Sequence, residues 1–353
     1  MSKNNLLEAY GGKMVERVPW VPYAGVHCAY LIGESAEAYL QNPDLMVKGV
    51  LHAAEYYQVD GIPLLFDVSV EAMSMGCDYK WNTDNSPTIT GHPLAHQSLK
   101  EAGLKIPSIQ EGRWPVLIEA GKRIAAEKGD WGLLGLCCGP LTLASHLRGV
   151  KLFTDMVKNK SLAGEIIEFC GEVCAQSAKN YRDIGCEVVG IVDPVASQVN
   201  PGIFREFESP ACQPALRVIR DAGIISSFLT CGDSSRVMEE ICRIGVDSFS
   251  CDEQVSLTYA RDLALKYGLG FTGSLNVAQA LTLGLIDPEK DALVSMAAGG
   301  MTGFILAPGC NMPYNVPPEN VLKVLEAKQW FEKYYAKYPS HVPPGYISLS
   351  EEN

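Results

Sequence analysis

No run of 18 or more apolar residues occurs in this 353-residue chain, so no segment reads as a membrane-spanning helix. Met1-Ser2-Lys3-Asn4-Asn5 leads into polar sequence rather than an apolar signal region, and the expected location is the cytoplasm. No G-x-x-x-x-G-K-[ST] is present, and no glycine-rich phosphate loop follows an early strand. Basic residues are scarce: 29 Lys and Arg stand against 41 Asp and Glu, a net charge of −12. A polyanionic partner is repelled at long range, so nucleic-acid binding is not expected. Internal repeats and low-complexity stretches are also missing.

What is present is apolar sequence, 47% of the chain, enough for one large core or two modest ones. The 12 cysteines are spread along the chain, several inside apolar strands. That is not the framework of a small disulfide-stapled domain, and it suits a reducing interior. Short apolar runs at 18–25, 61–68, 131–138, 187–194, 225–231, 248–252, 269–275 and 303–310 read as strands covered on both faces. Helical patterns separate them, at 45–57, 114–128, 153–184, 201–222 (broken near Pro210), 234–244, 257–267 and 288–298, and 318–335 closes the series. Eight strands alternating with helices predict a (β/α)8 TIM barrel in one domain spanning 1–353. The segment 71–115, rich in Asn, Pro, Gly and His, is expected to cover part of the barrel mouth, and 339–353 to form a loose tail.

In such a barrel the C-terminal strand ends converge on the face that carries chemistry. Two cysteines end strands there, Cys231 and Cys310, 79 residues apart. Together they offer a soft metal two thiolates; the alternative is that they are small, inert residues at strand ends. A zinc site needs three or four ligands. Asp252 or Glu253 supplies a third, and His27, brought near Cys310 where strands one and eight adjoin, a fourth. Asp67 and Asp193 end apolar strands, where an unpaired carboxylate is costly; they either cap the next turn or face substrate. With His146 they are the candidate catalytic groups, and His27, Ser197, Asn276 and Asn311 the candidate substrate contacts.

Gly139-Pro140-Leu141-Thr142-Leu143-Ala144-Ser145-His146-Leu147-Arg148-Gly149 resembles the G-P-[FL]-T-L-A segment of the uroporphyrinogen decarboxylase superfamily. Asp193-Pro194-Val195-Ala196-Ser197, the stretch from Phe204-Arg205-Glu206-Phe207 to Pro210, Cys231-Gly232 and Ala307-Pro308-Gly309-Cys310 resemble its cobamide-dependent methyltransferase branch. The resemblance runs from Val18 to Lys328. It implies an enzyme that moves a methyl group between a small molecule and the cobalt of a corrinoid carried by a partner protein, with zinc held by H-x-C and a distant cysteine. Cys231 and Cys310 match the two cysteines, but Leu229 stands in the histidine position. Either another group (His27, Cys251, Asp252 or Glu253) completes the zinc site, or zinc is lost. A homodimer is also expected.

The decarboxylase branch is the alternative, a lyase acting without metal on a small acid or tetrapyrrole. Asp67 in Leu65-Phe66-Asp67 matches that branch's catalytic aspartate, and His146 falls where it carries a tyrosine near the substrate. Its carboxylate-binding arginines, however, have no counterpart in 22–30.

Overall fold

A computed structural model describes residues 2–337. Seven parallel strands form one sheet in the order β1 (Gly61–Pro63), β4 (Gly132–Cys138), β5 (Val188–Val192), β6 (Ile225–Leu229), β7 (Ser248–Ser250), β8 (Gly270–Leu275) and β9 (Phe304–Pro308). β2 (Tyr79–Lys80) and β3 (Thr88–Ile89) make a separate antiparallel hairpin. The segment around Trp20 fills the eighth place. Val21 N–H donates to the Leu306 carbonyl at 3.0 Å on one side, and Asp60 N–H donates to the Trp20 carbonyl at 2.9 Å on the other. The barrel is thereby closed between β9 and β1, as the alternating pattern predicts.

The expected strand 18–25 is reduced to a single bridge, Trp20 to Leu306. Pro19 and Pro22 have no N–H to extend a ladder. G-x-G-x-x-G does occur, at 268–273, but it leads into and along β8 and not into a strand-to-helix turn, so it lacks the context of a dinucleotide site. The helical pattern 153–184 divides at Asn159 into Lys151–Lys158 and Lys160–Ile184. The pattern 201–222 is not broken at Pro210; it runs through a π-helical turn, Phe204–Glu208, into Ser209–Asp221. Pro210 sits in the first turn of that last helix, where its missing N–H costs little. The tail 339–353 lies outside the described residues. No helix among them is long and apolar enough to cross a membrane.

Two apolar cores follow from the period of two along each strand. One face of the sheet packs against the surrounding helices, with Leu133, Val189, Phe228, Phe249 and Phe304 fully or almost fully buried. The other face fills the barrel lumen with Leu134, Leu136, Val188, Val192, Leu229, Ile305 and Ala307. An N-terminal helix, Ser2–Tyr10, which the sequence reading left out, plugs the lower end with Leu6 and Tyr10. Gly61 and Gly132 make room for it: a Cβ at either would lie 2.6 or 2.8 Å from Leu6 Cδ2. The mouth at the other end is left for chemistry.

Candidate active site at the barrel mouth

A cleft of about 410 Å3 opens at the C-terminal ends of the strands. Its wall is built by Phe66, Asp67, Val68 and Ser69 after β1, by 85–89 from the hairpin, and by His146, Pro194, Cys231, Cys310 and Asn311. Four of the expected site residues, Asp67, His146, Cys231 and Cys310, thus meet in one space, with Asn311 as a fifth. Cys231 and Cys310 are joined as a disulfide, with Cα atoms 5.8 Å apart.

Asp67 is held rigidly. Its Oδ1 accepts from Ser69 N–H at 2.8 Å and Ser69 Oγ at 2.6 Å, and its Oδ2 accepts from Arg113 Nη2. Arg113 Nη2 also donates to Ser69 Oγ at 3.0 Å. Such a charge-assisted pair, buried on both sides, fixes orientation more than it adds stability. His146 extends from the helix Pro140–Arg148, and its Nε2 is buried with no partner in the protein. Burial lowers its pKa to about 4, so near neutrality the ring is uncharged. Asn311 Oδ1 and Ser86 Oγ are likewise buried and unpaired.

Other expected contacts lie elsewhere. Asp193 is fully buried and does not reach the cleft. Its carboxylate accepts from Leu141 N–H at 2.8 Å, Thr142 N–H at 3.2 Å, Thr142 Oγ1 at 2.7 Å and Ala196 N–H at 3.1 Å. It therefore caps the helix Pro140–Arg148, which corrects its expected catalytic place. Asn276 corrects in the same way: its Oδ1 caps the π-helical segment Val277–Thr282 through Gln279 N–H. Ser197 donates to the Pro194 carbonyl at 2.9 Å and does not line the cleft. His27 is spent on structure, Nδ1 lying 2.9 Å from the Tyr314 carbonyl and Nε2 2.7 Å from the Tyr57 hydroxyl. It joins neither the cysteines nor the cleft.

The two acids after β7 divide. Asp252 accepts from Gly232 N–H at 2.8 Å and Gln254 N–H at 3.0 Å, bracing the turn beside Cys231. Glu253 Oε2 is buried with no partner and occupies the space that a Cβ at Gly309 would fill. Burial raises its pKa. Cys251 points to the Thr272 carbonyl, and burial pushes its thiol up to about 12. Among the described residues no three His, Cys, Asp or Glu side chains form a ready-made metal cluster. Reduction would expose two soft sulfurs, one donor short of the three that a zinc site needs from the protein. Leu229 contributes nothing, being packed in the lumen against Gly190.

Three features escaped the sequence reading. Ser69 and Arg113 hold Asp67; an Asp-x-Ser spacing hinted at the first, but nothing local marks an arginine 46 positions away. Residues 85–89 were expected only as cover, and Glu208 not at all. Glu208 is fully buried beside Asp193, sharing Leu141 N–H at 3.1 Å. Burial and then the Asp193 charge raise its pKa well above the usual range.

The family described as uroporphyrinogen decarboxylase (URO-D) matches residues 1–330, and the chain belongs to it. Within that family it falls in the methyltransferase branch. It is 27% identical over 342 residues to the methylcobamide:CoM methyltransferase MtaA of Methanosarcina barkeri, covering 95% of this chain and 98% of the relative. A solved methyltransferase from Methanosarcina mazei superposes with a TM-score of 0.84 at 26% identity, covering 94% of this chain and 98% of the other. The uroporphyrinogen decarboxylase of a Synechococcus species is 26% identical over 271 residues, covering 72% and 76%.

Proposed function

We propose that this enzyme transfers a methyl group between a small molecule held in the barrel-mouth cleft and the cobalt of a corrinoid carried by a separate protein. The observation that carries the reading is the meeting of Cys231 and Cys310 on the wall that also holds Asp67 and His146. The relatives' names, which specify methylcobamide and coenzyme M, support the reaction class.

Reduction of the disulfide would free Cys231 and Cys310 as two thiolate ligands for zinc, with Glu253, packed against Gly309, a candidate third donor. Zinc held there would supply Lewis acidity toward a bound thiol or a methyl-bearing heteroatom. Asp67, locked by Ser69 and Arg113, holds the wall after β1 in a fixed shape beside the small molecule. His146, uncharged near neutrality, helps to orient the small molecule as part of the cleft wall. The hairpin residues 85–89 line the cleft, and a corrinoid partner would dock beside them. Ten further cysteines are free and buried, which agrees with a reducing, cytoplasmic setting.

Elemental analysis of the reduced enzyme, paired with methyl transfer from methylcobalamin, tests this. About one zinc per chain is expected, absent in Cys310→Ala, with transfer reduced roughly a hundredfold or more. Transfer that survives intact without metal removes zinc from the mechanism. No transfer in reduced, zinc-loaded wild type rejects the reaction class.

A further inference from the structure

We infer that Cys231 and Cys310 form a thiol-operated gate: joined, as in this structure, they shut the methyl-transfer site, and a small thiol entering the cleft opens it by disulfide exchange. This rests on the cleft being that site, and it adds the site's regulation. Both cysteines line the cleft and both are partly exposed, whereas the other ten are buried. A thiol in the cleft therefore meets this one bond and none of the other sulfurs. The bond is not needed to close the barrel, since β6 and β9 are already tied through β7 and β8. The two Cα atoms stand 5.8 Å apart, inside the ordinary range for a bridge, so the same backbone carries the joined and the separated pair. A disulfide at an open mouth, in a chain whose remaining sulfurs are all thiols, has the character of a labile bond and not of a structural one.

In the opening step the entering thiolate attacks one of the two sulfurs. A bond forms between the small molecule and that cysteine, the Cys231–Cys310 bond breaks, and the other cysteine leaves as its thiolate. A second small thiolate attacks the mixed disulfide, a symmetrical small disulfide departs, and the second cysteine is freed. Two electrons have then passed from two small thiols to the protein pair. The same small disulfide closes the gate by running both steps in reverse. A thiolate sulfur holds a soft metal and a disulfide sulfur does not, so closing withdraws both soft donors at once. A thiol that the site would methylate is thus also the reductant that prepares it.

Wild-type enzyme equilibrated with hydroxyethyl disulfide, then treated with mercaptoethanol without denaturant, provides the test. Each sample is alkylated with iodoacetamide and its peptides are mapped by mass. Before thiol treatment the peptides of Cys231 and Cys310 should be found joined. Afterwards these two cysteines should label, and the other ten only on unfolding. Methyl transfer from methylcobalamin to mercaptoethanol is followed in parallel. The oxidised enzyme should start at least about tenfold slower than the reduced enzyme, with a lag that shortens as thiol is raised. Labelling of Cys231 and Cys310 in the oxidised sample overturns the inference. So does a bond that resists mercaptoethanol in the folded protein, or a full initial rate while the pair is joined. Reversible opening with no transfer from reduced, zinc-loaded enzyme would reject the proposed reaction and leave the thiol exchange standing.

Discussion

Burial holds the pKa of both His146 and His27 at about 4, yet the two rings serve different ends. His146, on the cleft wall, keeps Nε2 buried without a protein partner, whereas His27 spends both nitrogens between Tyr57 and Tyr314. The unfolded chain protonates a histidine near 6.5 and the folded chain only near 4. Between those values the unfolded state binds more protons, so stability is lost as pH falls through that window. In His27→Gln the decline between pH 7 and pH 5 should be shallower than in wild type by about 2 kcal/mol, measured by urea unfolding at the two pH values. Parallel declines would show that His27 is not held neutral. Both histidines were visible in the sequence as candidates. Which one faces the cleft was not, because burial alone does not say whether a neighbouring hydroxyl and carbonyl will claim the ring.

The helix Pro140–Arg148 shows the same division one level up. Its existence was legible from Gly139-Pro140 and the apolar positions that follow. Its cap was not, since Asp193 comes from the end of β5, 51 or more positions later. Gly139 belongs to the arrangement, because a Cβ there would collide with the Asp193 carboxylate. Asp193→Ala leaves the Thr142 N–H and hydroxyl without their acceptor, and leaves Leu141 N–H to Glu208 alone in the same buried space. A loss of roughly 3 kcal/mol or more is expected in denaturant unfolding, with little change in KM for the folded fraction. A raised KM at unchanged stability would instead put Asp193 against substrate.

For the whole molecule, closure at both ends of the barrel matters most. The lower end depends on Leu6, fully buried against Gly61 and Gly132. Arg17, Lys328 and Glu332 gather at Asp60, tying the entry to β1 to the C-terminal helix Pro318–Lys337. Leu6→Ala should cost about 2–4 kcal/mol in thermal or denaturant unfolding, since backbone glycines leave little to collapse into the void. A loss under about 0.5 kcal/mol would mean that the N-terminal helix is not a plug.

The order of strands and helices, and with it the barrel, was determined by the sequence itself, because parallel strands covered on both faces need continuous apolar runs whatever their partners. Cys231, Cys310, Asp67 and His146 were assigned to the mouth for the same reason: a strand's end is a local property. Tertiary structure alone decided what those ends do. It paired Asp67 with Arg113, turned Asp193 and Asn276 back onto helix N-termini, buried His27 away from the cysteines and left Glu253 against Gly309. Each of these depends on a partner distant in sequence, and the cost of an unpaired buried polar group selects that partner only once the chain has closed.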